Sequence, residues 1–165
     1  MLKGLFGGTR QGKRDDAELG KGVWRRVHDR FRRGLDRFHQ MLEGIEEDAV
    51  GPAATQELSD NYAAIVPVAN GLANLLPQVR RIAARAQSLA PSEGMEIPAG
   101  AGGHLNDVHR ELSRAGNALA AAAEAVAMVR LGAGEVAAVE RRALIVHGHV
   151  DRAEALLDGR ESTDG

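Results

Sequence analysis

The chain has no cysteine, which removes disulfides, thiolate metal sites and a cysteine nucleophile together and fits a reducing cytoplasm. Aromatic residues make up only 3% of its 165 residues, so the few rings present mark where the largest core side chains must go. Neither sign of charge dominates: the formal net charge is -2, which gives no global attraction to nucleic acid or to acidic partners. Recognised catalytic motifs are absent as well. Serine occurs at Ser59, Ser88, Ser92, Ser113 and Ser162 without a nucleophile-elbow context. Gly7, Gly8 and Gly12 lack the following Lys-Ser or Lys-Thr of a phosphate loop. No carboxylate falls on a helix seam, where a bundle enzyme keeps its general acid and base. The lysines stop at Lys21 and every later basic residue is arginine, a bias that with heavy Ala and Gly use fits a GC-rich bacterial genome.

What is present is helical periodicity. Trp24, Phe31, Phe38 and Ile45 recur every seven residues, with Val27, Leu35, Met41 and Leu42 beside them, which is the stripe of one long helix over about 16–48. After the turn at 49–54, Thr55 is placed to cap a second helix over 55–90. Its stripe is Leu58, Tyr62, Ile65, Ala69, Leu72, Leu76, Val79, Ala83 and Ala86, with a kink expected at Pro67 and Pro77. Residues 91–103 are rich in Gly and Pro and read as a spacer loop able to carry the chain to a non-neighbouring helix. Leu105, Val108, Leu112, Ala115, Leu119, Ala122, Val126 and Val129 predict a third helix over 104–131. Val136, Val139, Ala143, Val146, Val150, Ala153 and Leu157 predict a fourth over 135–158, with a disordered tail at 160–165. The expected fold is all-α: an antiparallel four-helix bundle made of two helical hairpins joined by the Gly/Pro-rich loop, with large side chains of the first helix facing alanines of the third.

Residues 1–14 read as a flexible tail in which Leu2, Leu5 and Phe6 form a short docking peptide flanked by basic residues. Arg25, Arg26, Arg30, Arg80, Arg81 and Arg85 gather at the same end of the expected bundle and form a positive pole suited to an anionic membrane surface. Pairing with Asp151, Glu154 and Asp158 of an adjacent fourth helix is the structural alternative for those arginines. No helix-turn-helix, RNA-binding or zinc-finger spacing occurs, and the aromatics lie on the core stripe instead of among the arginines, which argues against nucleic acid. Charge is missing altogether between Asn61 and Val79, and nearly so between Ala115 and Val129. Uncharged faces on the second and third helices, with Val68 and Leu75 on the second, are therefore expected to bind another copy or another protein. His28, His147 and His149 are the candidate metal ligands, although no recognised ligand spacing surrounds them. The expected protein is a non-catalytic scaffold, adaptor or regulator of the cytoplasm that self-associates and needs no cofactor. A peripheral membrane protein at the inner face of the membrane and a histidine-site metal protein or enzyme are the two alternatives.

Overall fold

A computed structural model describes the backbone over residues 2–98 and 103–161 and the side chains over 10–98 and 103–159. Six helices follow one another: α1 (Leu2–Leu19), α2 (Val23–Val50), α3 (Gln56–Ala73), α4 (Leu75–Leu89), α5 (His104–Arg130) and α6 (Val136–Glu161). No strand occurs among the described residues. The protein is all-α.

The amino-terminal segment differs from the flexible tail expected over 1–14, because α1 is helical from Leu2 onward. Each interior glycine costs a helix about 1 kcal/mol, but side-chain pairs one turn apart support its second half. Gln11 Nε2 donates to Asp15 Oδ1 at 2.7 Å and Arg14 Nε to Glu18 Oε1 at 3.1 Å. The long first helix is also divided. Gly20 takes φ +70° and its N–H returns to Asp16 O at 3.1 Å, the left-handed cap that ends a helix where a side chain would be strained.

Gly22 then precedes α2 without a side-chain cap of its own. The cap comes from 69 residues away: Val23 N donates to Ser92 Oγ at 3.2 Å. Ser92 is 1% exposed, and its hydroxyl donates onward to Glu96 O at 2.8 Å. Beside it, Trp24 Nε1 donates to Ala90 O at 3.3 Å, and Ser92 N to Gln87 Oε1 at 2.9 Å. The segment following α4, read from sequence as a spacer, is therefore a clasp over the joint between α1 and α2.

The second predicted helix is likewise two. Thr55 Oγ1 accepts from Leu58 N at 3.2 Å to open α3 as expected. The helix runs through Pro67 and breaks at Asn74. Pro77 would otherwise leave Ala73 O without its helical donor; starting a new helix at Leu75 puts the proline in a first turn, where the missing N–H costs nothing. The break also shifts the register. Leu75 is buried in the core where the continuous stripe assigned Leu76, which is half-buried.

Helices α2 and α5 pack side by side, and both α2 and α6 lean on α3 and α4, while α6 lies along α5. Trp24 meets His109, Arg30 reaches Asn117, Gly34 takes the Leu119 side chain and Asp48 binds Arg130. Both sequence numbers rise together in that series, so α2 and α5 run parallel. Gly71 against His147, then Gln78 donating to Asp151 and Glu154, gives the same sense for α3–α4 against α6. Thus α2 runs parallel to α5 and α3–α4 run parallel to α6, and the chain after α4 leads to a helix that α3 and α4 do not pack on. The expectation that the last helix runs antiparallel beside the first is corrected here: α2 and α6 sit across the core.

One cluster fills the centre. Trp24, Phe31, Phe38 and Ile45 of α2 are almost wholly buried, and α5 answers with Ala115, Ala122, Ala123 and Leu119. Alanines let the backbones approach while the rings fill the remaining depth. At the far end of α5, Gly132 at φ +74° sends its N–H to Val129 O at 3.0 Å while Ala133 N bonds Met128 O at 2.9 Å. This paired cap makes the tight turn into α6.

Replacing Gly22 by Ala drives a Cβ into the Ser92 carbonyl oxygen, which belongs to a backbone already held by the clasp. Urea unfolding should give a loss of about 1–3 kcal/mol. Gly12→Ala meets nothing within 4 Å, so the same measurement should give no loss, or a gain of up to about 1 kcal/mol.

Candidate functional site

The densest polar constellation lies where α1, α2 and α4 meet. Asp15 enters from the last turns of α1 and is 2% exposed. Arg80 of α4 reaches it at 2.7 Å through Nη1, and Arg25 of α2 lies at 3.8 Å. Arg80 also bonds Glu18 at 2.8 Å, while Arg25 bonds Asp16 at 2.8 Å and Asp29 at 2.9 Å. His28, 2% exposed, completes the group by donating from Nδ1 to Asp29 Oδ1 at 2.9 Å. Four acids from two helices thus surround two guanidinium groups that are about one-fifth exposed.

Burial alone would push the Asp15 carboxyl up, but hydrogen bonds from Arg80 and Gln11 and the charges of Arg80 and Arg25 outweigh it and hold the pKa below its ordinary value. Asp29 is lowered in the same way: burial opposes, and His28 and Arg25 prevail. For His28 the balance falls the other way. Burial lowers its pKa and the Asp29 hydrogen bond recovers only part of the loss, so the imidazole is favoured neutral. The constellation is an ion-pair lock with a neutral histidine at its inner edge. It holds α1 onto α2 and α4 and contains no free nucleophile.

A second polar group joins α5 to α6. His149 Nδ1 lies 2.7 Å from Glu111 Oε2 and 2.9 Å from Arg152 Nη2. One ring nitrogen cannot donate to the carboxylate and accept from the guanidinium at once, so the tautomer selects the partner. Glu111 is held below its usual range; burial opposes this, and His149, Arg114 and Arg152 outweigh it. Farther along, His109 packs edge-on to Trp24 with ring centroids 5.6 Å apart, and burial followed by the charge of Arg26 lowers its pKa. It lines a shallow depression of about 230 Å³ with Val23, Arg26, Val27, Arg30, Met95 and Ser113.

The three candidate metal ligands are not brought together. His28 faces Asp29, His147 lies against Gly71 of α3, and His149 faces Glu111 of α5. His147 and His149 are two residues apart on one helix and so point to different neighbours. No group of three His, Cys, Asp or Glu able to hold a metal occurs among the described residues.

The arginines of the expected positive pole have different partners from those expected. Arg25 and Arg80 are neutralised by α1, Arg26 donates to Gly94 O, and Arg30 donates to Asn117 Oδ1. Arg81 and Arg85 border a depression shared with Glu154 and Asp158. Side chains of Leu2, Leu5 and Phe6 lie outside the described residues, although their backbone belongs to α1. Among the described residues no helix is long and apolar enough to cross a membrane.

The uncharged faces are also relocated. On α5, Ala115, Gly116, Leu119, Ala122, Ala123, Ala125, Val126 and Val129 are covered by α2 and α6, so most of that face is interior. Leu75 is buried and Val68 half-buried against the core, and the exposed residues of the uncharged stretch of α3 are Ala63, Ala64, Pro67 and Asn70. The large apolar side chains left in solvent are elsewhere: Leu144 is 70% and Ile145 50% exposed and adjacent on α6, while Val50, Met95, Leu131, Met128, Leu89 and Leu156 are exposed near helix ends or in the loop after α4. Sequence reading passed over Leu144 and Ile145 because the core stripe runs through Ala143 and Val146 on either side of them; their signal was being surplus to that stripe. Comparison of the chain with protein-family models, with curated proteins and with solved structures finds no match.

The ion-pair lock makes stability depend on pH with a definite sign. His28, Asp15 and Asp29 of the lock, and Glu111 of the separate α5–α6 group, all bind protons less tightly folded than unfolded. Stability is therefore full above the ordinary histidine value of about 6.5, declines as pH falls below it, and declines further through the carboxylate range. Asp15→Asn should flatten the carboxylate part of a chemical-denaturation series against pH. At neutral pH it should cost about 2–3 kcal/mol, since the stranded guanidinium groups keep some solvent.

Proposed function

We propose that the chain is a non-catalytic protein of the four-helix-bundle class, with α2, α3–α4, α5 and α6 as its four members and α1 locked on as an addition. It acts through protein–protein contact, as a scaffold, adaptor or regulator, and its first partner is a second copy of itself. One observation carries this reading. Leu144 and Ile145, adjacent on the outward face of α6, stand 70% and 50% exposed in a molecule whose other helices bury most of their large apolar side chains. Fully burying a side chain of this size is worth about 1.5–3 kcal/mol, so covering these partly exposed ones on both subunits favours association, against the cost of bringing two chains together.

The alternatives have less support. Attachment to an anionic membrane surface needs a basic pole, and Arg25 and Arg80 already share their charge with Asp15, Asp16, Asp29 and Glu18. A histidine-centred metal or enzyme site needs ligands that converge, and His28, His147 and His149 face three different helices' neighbours.

The test is absolute mass by light scattering on the full chain at low and high salt. Dimers that survive high salt are expected, because screening weakens charge pairs and leaves apolar burial intact. The double variant Leu144→Glu/Ile145→Glu should be monomeric with unchanged helix content. A native chain that stays monomeric at every concentration would defeat the reading.

A further inference from the structure

If self-association through α6 is granted, the outward face of that helix also specifies how two copies meet. Ala137, Arg141, Leu144, Gly148, Asp151 and Ala155 recur along it at alternating spacings of four and three, the repeat of a seam between helices. The core stripe of α6 runs on the other side through Val139, Ala143, Val146, Val150, Ala153 and Leu157. The helix thus has two seams and only one is filled. All six residues of the outer seam are exposed except Gly148, which is half-buried. A Cβ built on Gly148 would have the Arg152 guanidinium as its nearest neighbour, at 3.4 Å, so Gly148 leaves a shallow dip bordered by a side chain that can move aside. Arg141 has no ion-pair partner among the described residues, and Asp151 receives a long 3.3 Å bond from Gln78 at one oxygen.

We infer that α6 of one copy packs antiparallel on α6 of a second copy about a two-fold axis at the level of Val146. Such an axis places each residue opposite the one equally far beyond Val146 on the other copy. Leu144 then lies over Gly148 of the second copy, Arg141 against its Asp151, and Ala137 against its Ala155. The same three contacts recur with the copies exchanged. A knob meets a hole, a cation meets an anion and a small residue meets a small one, six times in one seam. Ile145, at the edge of the seam next to the axis, meets its own symmetry mate.

Parallel pairing in register does the reverse. It sets Arg141 against Arg141, Asp151 against Asp151, Leu144 against Leu144, and leaves a void between the two copies of Gly148. Charge and volume therefore select the same orientation independently. One helix from each subunit gives an area at the lower end of the roughly 1,200–2,000 Å² that specific interfaces bury, so the dimer should dissociate on dilution.

Sedimentation of the full chain over about 1–100 µM tests the pairing. Arg141→Asp and Asp151→Arg should each weaken the dimer roughly tenfold or more by opposing like charges. The double variant Arg141→Asp/Asp151→Arg should return it to near the native value, because each new residue then faces its opposite. Circular dichroism and thermal unfolding of each variant verify that these exposed substitutions leave the fold intact. Since the chain has no cysteine, a single introduced one reports by itself. Ile145→Cys should cross-link to its mate on mild oxidation. Ala137→Cys should not, because the antiparallel pair holds the two copies of residue 137 roughly 27 Å apart at 1.5 Å per residue, far beyond disulfide reach. Mixed with Ala155→Cys protein, it should cross-link.

Self-linking of Ala137→Cys overturns the antiparallel pairing and leaves self-association standing. So does a charge exchange that fails to restore a dimer which Leu144→Glu/Ile145→Glu abolishes. A native chain that is monomeric throughout, or a dimer indifferent to Leu144 and Ile145, removes both the pairing and the surface on which it rests.

Discussion

The joint between α1 and α2 is the constraint on which the rest of the molecule depends. Three residues turn the chain there. Gly20 supplies a left-handed backbone, Gly22 leaves room for the Ser92 carbonyl, and Val23 offers an N–H that its own neighbours cannot satisfy. Ser92 accepts that bond and Ala90 accepts from the Trp24 indole. The segment after α4 is thus fastened to the start of α2. This fastening lies at the start of the crossing from α4 to α5 and holds the chain leaving α4 beside the first turn of α2. The same joint turns α1 back so that Asp15, Asp16 and Glu18 meet Arg25 and Arg80.

Size matching then decides which surfaces are inside. The α2 stripe is made of rings and branched chains, and α5 offers alanine at most of the facing positions. Two such helices approach closely, and α6 closes over the opposite side of α5. Between Ala115 and Val129 this leaves α5 only a narrow outer stripe of Asn117, Ala120, Glu124 and Met128, which accounts for most of its lack of charge there. Helix α6 is different. Its core side is lined by Val, Ala and Leu, yet Leu144 and Ile145 stand on the solvent side among the exposed charges of Glu140, Arg141, Arg142, Asp151 and Arg152.

Much of this was legible in the amino-acid order. Heptads of Trp24, Phe31, Phe38 and Ile45, and of the later Ala, Val and Leu stripes, give the helical class and most of the core directly, because burial enforces the 3.6-residue period. The Thr55 cap was readable for the same local reason. Long-range contacts were not. Nothing in residues 91–98 announces that Ser92 caps a helix 69 positions earlier. Nor does the segment before Asp15 disclose its helix, since four glycines weaken it and tertiary ion pairs supply the compensation. The break at Asn74 follows from Pro77, but the resulting register change that buries Leu75 depends on packing against α2 and α6. Similarly, His28, His147 and His149 can be placed at one height by counting residues, whereas their directions depend on which helices are neighbours.

The attachment of α1 has a consequence for motion. The described half of α1 contributes Leu19 to the core and otherwise holds on through Asp15, Asp16 and Glu18. Every other helix is anchored by several buried apolar side chains, whereas opening the described half of α1 breaks mainly ion pairs and uncovers one large apolar side chain. Ionic strength acts on that opening far more than on the core beneath it. When α1 swings away, Arg80 loses both Asp15 and Glu18 while Arg25 keeps only Asp29, so a nearly neutral surface gains positive charge through a single local event.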